Sequence, residues 1–434
     1  MTVYARDPNW IRALDWLVGG QPLSWVKPAA GPLLLDYHPW HPDEGAPVVV
    51  RIGDGTRPRP LSTSEEVALA KATAAFEAVA DVDFRASDVL SGAEIRVLYA
   101  DIVRPSVLGM TYVDFDSAGH LLHAEIVLDD RPTMHDLRPG TLGFLVTLHE
   151  LGHALGLGHP SEGPARLQDV RDHRAFTVMS YDPHPTAGYD GGILEPRTPM
   201  LYDIAALQAK YGIARAGAGD NRYAFPDGIG PILTIWDAGG SDTLDASGQL
   251  LPVSIDLREG GFSDIGRRGS GAEYGEPARQ NVAIAYGTKI ENAIGGRSDD
   301  ILVGNGLANL LRGEDGNDLL LGLAGSDRLV GGTGNDILRG GAGDDRIAGG
   351  AGQDIAWFDG RLSGYRFERV EGIWYVRDVD SRNGFEGRDR LEAVELVQFD
   401  DLLVDIGGAV AKPVGSPIVT VDLDELLAPA YAIV

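Results

Sequence analysis

Cysteine is absent from this chain of 434 residues. Its absence excludes disulfide bonds, thiolate zinc sites, iron–sulfur clusters and cysteine nucleophiles. Lysine and arginine together number 37 against 64 acidic residues, which gives a formal net charge of −27. This scarcity of positive charge argues against nucleic acid or anionic lipid as the main partner, because attraction to phosphate requires basic residues. The acid excess is compatible with bound metal cations.

Long apolar runs are also missing. No stretch approaches the ~20 residues that a membrane-spanning helix needs, so we expect no membrane insertion. The N-terminal segment lacks the apolar core and cleavage site of a Sec-type signal peptide. Hydrophobic residues nevertheless make up 44% of the chain, which is enough for a packed core, and the length suggests two domains or more. A secreted protein without disulfides needs another stabilising device, and bound calcium is one.

Glycine is concentrated between residues 295 and 357, where seven nine-residue units follow one another without a gap. The units are GGRSDDILV, GNGLANLLR, GEDGNDLLL, GLAGSDRLV, GGTGNDILR, GGAGDDRIA and GGAGQDIAW. Tandem copies of this GGxGxDxUx pattern are the signature of RTX calcium-binding repeats. One unit cannot bury its own apolar side, so neighbouring units must stack. The pattern predicts a parallel β solenoid and argues against a flexible glycine-rich linker.

Calcium takes six to eight oxygen ligands, so we expect each site to use two turns of the solenoid. The predicted ligands are the aspartates at the sixth position and the carbonyls of neighbouring glycines: Asp300, Asp318, Asp327, Asp336, Asp345, Asp354, Gly332, Gly334, Gly341, Gly343, Gly350 and Gly352. Asn309 in the second unit and Ser298 in the first break the pattern and predict weaker sites there. Asp237, Asp242 and Asp245 form either a further calcium site or an ordinary acidic turn.

The chain before the repeats is typical of a mixed α/β domain. Its patterns predict helices over 61–82, 142–155 and 200–212, strands over 93–100, 110–116 and 124–130, and a boundary near 214. Ser62 and Glu65 resemble a capping box at the start of the first helix. Spacing places one apolar face of that helix on Val67, Ala70, Ala74 and Val79.

The stretch TLHELGHALGLGHP, residues 147–160, predicts a metal site. His149 and His153 lie four residues apart on a helix, so both imidazoles project from one face and can bind one ion. Gly156 permits a sharp turn that returns His159 as a third nitrogen ligand. Three histidines with an open position are typical of a catalytic zinc site. Glu150 lies beside that face, where it can hold a water as general base.

Downstream lies FTVMSYDP, residues 176–183. HELGHALGLGH followed by VMSY resembles the metzincin metalloproteases, specifically the serralysin branch of the M10 family. The resemblance implies that Met179 lies in a Met-turn beneath the zinc. It also implies that the Tyr181 phenol can ligate zinc and swing away during turnover. The expected fold is an α+β metzincin-like catalytic domain followed by an all-β parallel β-roll, the RTX solenoid.

Four segments follow from these patterns. We expect a zinc metalloprotease domain over 1–214, a β-rich connecting segment over 215–294, the RTX β-roll over 295–357, and a β-rich tail over 358–434. The apolar terminus YAIV after an acidic run resembles the family's uncleaved secretion signals. We therefore expect export through a type I secretion exporter.

The predicted function is that of a secreted, monomeric zinc endopeptidase stabilised by calcium. Its partners would be protein or peptide substrates, the exporter and a protein inhibitor, with no nucleic acid. The strand at 124–130 is the expected edge along which a substrate peptide would pair. An alternative hypothesis is a calcium-binding RTX surface or adhesion protein whose protease domain is vestigial. A serine hydrolase is disfavoured because no G-x-S-x-G elbow accompanies a His/Asp set.

Overall fold

The computed structural model describes residues 24–25, 33–36, 58–86, 94–102, 104–117, 120–161, 167, 169–185, 194–214, 217–269, 275–380, 386–407 and 410–413. The chain forms two compact units. The first unit comprises residues 1–216 with 231–236, and the second comprises 217–230 with 237–434. Within the described ranges, no helix has the length and apolar character needed to cross a membrane.

The described part of the first unit contains three α-helices: α1 (Thr63–Glu77), α2 (Leu142–Ala154) and α3 (Leu201–Tyr211). They confirm the three helices expected from the sequence. At the start of α1 the Ser62 backbone N–H donates to the Glu65 carboxylate at 2.7 Å, as the capping box predicts.

The buried face of α1 differs from the prediction. Leu69, Ala72 and Phe76 are buried, whereas Val67 is 56% exposed and Ala70 and Ala74 face solvent. Val79, the fourth predicted residue, is buried just after the helix ends. The prediction was wrong for the other three because alanines lie on both sides of this helix, so apolar spacing alone does not select one face.

Six strands form the sheet of the first unit: β1 (Ser24–Trp25), β2 (Leu33–Asp36), β3 (Phe84–Ala86), β4 (Ile95–Ala100), β5 (Gly109–Phe115) and β6 (His120–Asp129). The order is β1-β6-β4-β2-β3, and these neighbours pair in parallel. β5 pairs antiparallel with β6 along residues 109–115. The strands predicted over 93–100, 110–116 and 124–130 are confirmed with shifted ends, as β4, β5 and β6.

The helix α2 is buried along nearly its whole length. Thr141 caps its start, because the Thr141 hydroxyl accepts a hydrogen bond from the Phe144 backbone N–H at 3.5 Å. Eleven of its thirteen residues are buried, and it packs against α1, β5 and β6. A helix held on several sides in this way presents His149 and Glu150 from a rigid backbone.

The remaining strands, apart from β8 in the first unit, belong to the second unit. They are β7 (Arg222–Ala224), β8 (Leu233–Ile235), β9 (Thr243–Asp245), β10 (Ser254–Asp256), β11 (Phe262–Ser263), β12 (Val282–Ile284), β13 (Asn292–Ile294), β14 (Ile301–Val303), β15 (Leu310–Asp315), β16 (Leu319–Ala324), β17 (Arg328–Thr333), β18 (Ile337–Ala342), β19 (Arg346–Ala351), β20 (Ile355–Trp357), β21 (Tyr365–Val370), β22 (Ile373–Asp378), β23 (Arg388–Glu392), β24 (Leu396–Gln398), β25 (Leu402–Asp405) and β26 (Val410–Pro413).

The nine-residue units alternate between two parallel sheets of the second unit. One sheet contains β13, β15, β17 and β19, and the other contains β14, β16, β18 and β20. Partners are eighteen residues apart, as in Leu311 opposite Leu329 and Leu320 opposite Leu338. These four leucines are 0% exposed, so the apolar position of each unit fills the interior between the sheets. The second unit is therefore a β-roll, as the repeats predict.

The solenoid does not stop at residue 357. After the antiparallel hairpin of β21 and β22, β23 pairs in parallel with β19, and β24 pairs in parallel with β20. Residues 386–398 thus add a further turn to both sheets, separated from the last repeat by an insertion. The sequence predicted a β-rich tail here but not its place in the solenoid.

Candidate active site

Three imidazoles converge in the first unit. His149 and His153 project from α2, and His159 returns to them after a turn in which Gly156 has a φ of +81°. Nε2 of His159 lies 3.2 Å from Nε2 of His149 and 2.9 Å from Nε2 of His153. The structure therefore brings together the three predicted histidines, whose ligand atoms lie within 4.8 Å of one another.

The second ring nitrogens orient two of these imidazoles. Nδ1 of His149 lies 2.9 Å from the Val178 carbonyl oxygen, and Nδ1 of His153 lies 2.8 Å from the Leu157 carbonyl oxygen. A carbonyl oxygen can only accept a hydrogen bond, so each Nδ1 carries the proton and donates, and each Nε2 keeps a lone pair. Burial, reinforced by the nearby His153, lowers the pKa of His149 to about 3, so that ring is neutral.

This arrangement fits a zinc ion. Converging lone pairs repel one another unless a cation lies between them. Two nitrogens bound 2.0–2.1 Å from one tetrahedral zinc would be roughly 3.3 Å apart. The observed Nε2 separations of 3.2 and 2.9 Å are close to that value.

Tyr181 lies beside His159, and Met179 packs against the helix that carries the other two histidines. The Tyr181 hydroxyl lies 2.7 Å from His159 Nε2, although the residue is 64% exposed. Met179 is completely buried. A Cβ added to Gly152 would lie 2.6 Å from Met179 Sδ, so this helical glycine makes room for the Met179 side chain against α2.

Glu150 points toward the sheet side of the site and is buried. The Thr111 hydroxyl on β5 donates to Glu150 Oε2 at 2.6 Å. Gly109, two residues earlier on the same face of β5, leaves space for the carboxylate, because a Cβ there would lie 2.6 Å from Oε1. Burial raises the pKa of Glu150 to about 7, and the Thr111 hydrogen bond opposes that rise. A carboxylate with this pKa suits proton transfer near neutral pH.

The turn carrying Met179 is fixed by Asp203 on α3. This carboxylate is fully buried and accepts hydrogen bonds from the Thr177 hydroxyl at 2.6 Å, the Val178 N–H at 2.8 Å and the Met200 N–H at 2.8 Å. The Val178 carbonyl in turn accepts the bond from His149. Asp203 therefore holds the backbone of Val178 in place, and Val178 in turn orients His149, a candidate metal ligand.

We predict that Asp203→Ala destabilises the first unit by about 3–5 kcal/mol, because it leaves three buried donors unsatisfied. Urea unfolding followed by a probe in the first unit measures this effect. Asp203→Asn keeps one acceptor oxygen and should lose less. An Asp203→Ala variant as stable as the native protein would contradict this role for Asp203.

In the second unit, five of the predicted calcium ligands share one unusual property. Their Oδ2 atoms are buried without a hydrogen-bond partner: Asp318, Asp327, Asp336, Asp345 and Asp354. Burial, followed by the charges of Asp300 and Asp336, raises the pKa of Asp318 to about 8. A buried carboxylate oxygen without a donor needs either a proton or a cation, and oxygen is the ligand that calcium prefers. The donor set therefore fits calcium.

Asp300 and Asn309 depart from that property. The Asp300 carboxylate accepts the Gly296 N–H, so its oxygen already has a donor. Asn309 supplies an amide that donates to the Glu291 carbonyl at 3.0 Å. Weaker binding at the two N-terminal units stays a prediction.

The turn glycines of the repeats adopt positive φ and pack directly on the preceding turn. At Gly334, with a φ of +131°, an added Cβ would lie 1.9 Å from the Gly316 carbonyl oxygen. No other residue fits there. The same conformation and close approach recur at the other predicted glycines, Gly332, Gly341, Gly343, Gly350 and Gly352.

Two of the three acidic residues before the repeats lie together. Asp237 accepts hydrogen bonds from the Tyr223 hydroxyl at 2.6 Å and from Asn221 Nδ2 at 2.9 Å, and Asp242 Oδ2 is buried without a partner. Asp245 is instead ion-paired with Arg222. Calcium binding by this group stays a prediction.

Sequence reasoning missed three residues: Thr111, Asp203 and Asp389. Only Asp389 carried a signal, since Gly387, Asp389 and Leu391 repeat the spacing of the nine-residue units. The Asp345 N–H donates to Asp389 Oδ1 at 2.8 Å, which is the same link that joins Asp327 to Asp345 one turn earlier. Asp389 thus continues one row of aspartates into the added turn.

The chain is similar in sequence to known proteins. Residues 209–363 match the family model described as Peptidase M10 serralysin C terminal. The resemblance to the serralysins is confirmed. The serralysin of Proteus mirabilis is 37% identical over 194 residues, which cover 40% of this chain and 37% of that protein.

Two further relatives carry metalloprotease or serralysin names. Metalloprotease AprA of Pseudomonas entomophila (strain L48) is 36% identical over 228 residues, covering 46% of this chain and 45% of that protein. Serralysin C of Dickeya chrysanthemi is 41% identical over 176 residues, covering 36% of this chain and 35% of that protein. The chain spans less than half the length of the curated relatives it matches.

Proposed function

We propose that this chain is a secreted, calcium-stabilised zinc endopeptidase of the serralysin type. The observation that supports it most is the convergence of three histidine Nε2 atoms beside a buried carboxylate and a strand edge. The names of its relatives support the same chemistry. Casein zymography with and without a zinc-selective chelator tests the proposal and discriminates it from an RTX adhesion protein with a vestigial site.

His149, His153 and His159 would hold the zinc ion, with Tyr181 as a fourth, exchangeable ligand. Bound zinc would act as a Lewis acid that makes water nucleophilic near neutral pH and stabilises negative charge on a carbonyl oxygen. The hydrogen bonds from Nδ1 to backbone carbonyls fix the tautomer of His149 and His153 that such binding requires.

Glu150 would act as the general base and then as the general acid. It would accept a proton from the attacking water and deliver that proton to the leaving amine. Its raised pKa allows both steps, because the carboxylate is neither fully deprotonated nor fully protonated near pH 7. The Thr111 bond to Oε2 leaves Oε1 to exchange the proton.

The substrate would pair with β5. The sequence selected the strand at 124–130 as the free edge, which was wrong because β5 pairs along that strand. Among the described strands β5 has no other partner, and its residue Thr111 contacts Glu150. A peptide added to β5 by backbone hydrogen bonds would therefore run past the general base.

Tyr181 would stabilise the transition state. Its hydroxyl can donate a hydrogen bond to a developing oxyanion once it leaves His159. The exposure of its ring permits that movement without repacking the core.

Thr111→Val tests the positioning of Glu150. Valine keeps the shape but removes the donor, so we expect kcat to fall about 10-fold with little change in KM. Thr111→Ser restores the hydroxyl and should recover most of the activity. Steady-state kinetics on one peptide substrate measure both variants, and equal kcat values for Thr111→Val and the native protein would refute this role.

Secretion through a type I exporter is the route we propose. The solenoid carries five buried aspartate oxygens that need a cation, and cytosolic calcium is too scarce to fill weak sites. The second unit would therefore stay unfolded before export and fold in external calcium. A protein inhibitor and a monomeric state remain part of this proposal.

A further inference from the structure

Six arginines form an ordered array on the outer face of one solenoid sheet. The parallel register places Arg328, Arg346 and Arg390 directly beside one another on β17, β19 and β23. The antiparallel register places Arg388 on β23 beside Arg377 on β22, and Arg366 on β21 beside Arg377. Directly opposed residues share one side of a sheet, and so do residues two apart on a strand.

We call this array the arginine face: Arg328, Arg346, Arg366, Arg377, Arg388 and Arg390. The inward positions of the same strands are apolar or acidic and buried, as at Ile347, Val376 and Leu391. The arginines therefore do not pack in the interior, and four of them are exposed.

Carboxylates neutralise only part of this face. Glu368 pairs with Arg388 at 3.2 Å, and Glu392 pairs with Arg390 at 3.0 Å. No ion pair is seen for the other four arginines within the described ranges: Arg328, Arg346, Arg366 and Arg377. Adjacent like charges on neighbouring strands repel one another, so four unpaired arginines side by side do not stabilise the fold. Such a cluster is also unexpected in a chain of net charge −27.

The net charge does not decide what this face can bind. At physiological ionic strength the Debye length is about 8 Å, so a docked surface senses the nearest charges and not the sum over the protein. The acid excess of the whole chain therefore does not prevent this face from binding an anionic surface.

The shape of the face selects the kind of anion. Neighbouring strands are about 4.8 Å apart, so the six side chains spread across five adjacent strands and do not follow one line along the chain. The same side carries an apolar pair at the hairpin end, because Val370 is directly opposite Ile373 and is 48% exposed. Cations beside exposed apolar side chains suit the headgroup region of a bilayer.

We propose that the arginine face docks the second unit onto a membrane surface rich in anionic lipid headgroups. The contact is peripheral: guanidinium groups meet headgroup phosphates, and Val370 with Ile373 enters the interfacial layer. This inference is independent of the zinc site.

Vesicle sedimentation of the full chain in calcium tests the proposal. We expect binding to phosphatidylcholine vesicles that contain phosphatidylglycerol and little binding to phosphatidylcholine alone. Arg328→Ser with Arg346→Ser should weaken binding roughly 30-fold, because each surface arginine contributes about fivefold. Arg366→Ser with Arg377→Ser should cause a similar loss from a different pair of strands.

The matched control is Arg297→Ser with Arg361→Ser. It removes two exposed positive charges from turns of the same unit outside the face, and it should bind like the native protein. Equal losses in the control and test variants would overturn the proposal, because net charge or calcium bridging would then explain binding. Absence of native binding to anionic vesicles, or variant-sensitive binding to heparin instead of vesicles, would also overturn it.

Discussion

Glu150→Gln is expected to lower kcat by a factor of ~10²–10⁴ and to leave one zinc ion bound. Glutamine has nearly the same shape as glutamate, and it can still accept the Thr111 hydrogen bond through its carbonyl oxygen. It cannot take a proton from water at neutral pH. The three histidines are untouched, and His149 and His153 keep their Nδ1 contacts, so the metal site itself should be unchanged.

Zinc analysis and peptide cleavage on the same preparation separate these effects. His153→Ala is the matched comparison on the same helix, and it should lose both zinc and activity. Near-native cleavage by Glu150→Gln with a full complement of zinc would refute the general-base assignment. Loss of zinc together with activity would instead give Glu150 a structural role.

Removal of calcium is expected to unfold the solenoid while leaving the first unit folded. Without a cation, five buried Oδ2 atoms would have no partner, and each carboxylate would have to stay charged or take up a proton, either of which costs several kcal/mol at neutral pH. The free energy of unfolding of a domain is only about 5–15 kcal/mol, so the summed cost at five sites exceeds it. The loss should be cooperative, because each turn is stabilised mainly by its neighbours.

Far-UV circular dichroism with a calcium-selective chelator measures the loss of β structure, and added calcium should restore it. Asp336→Asn tests one central site and should raise the calcium concentration needed for folding. Asp315→Asn is a control on an exposed side chain of β15 in the same solenoid and should have little effect. A solenoid with the same β content with and without calcium would contradict the account.

The convergence of the three histidines could be predicted because it depends on local geometry. His149 and His153 are fixed by helical spacing, and His159 needs only the turn at Gly156. The solenoid is predictable for a similar reason, since each nine-residue unit repeats both its turn and its apolar residue. In both cases short-range geometry determines which atoms meet.

Contacts between distant segments could not be predicted in the same way. Thr111 reaches Glu150 because β5 pairs with β6 and packs against α2. No spacing rule relates residues 111 and 150. Asp203 supports the Met179 turn from a separate helix. The added turn containing Asp389 was hidden because the β21–β22 hairpin interrupts the nine-residue period. The arginine face is defined by register across five strands and is invisible in the net charge.

Zinc titration of the metal-free protein, held in calcium, tests the central claim most directly. Cleavage of a peptide library is followed by mass spectrometry as zinc is added. The account predicts no cleavage without zinc, a linear rise in activity up to one equivalent and a plateau beyond it, with none of this in Glu150→Gln. Cleavage by the zinc-free protein, or no cleavage after one zinc ion is bound, would contradict it.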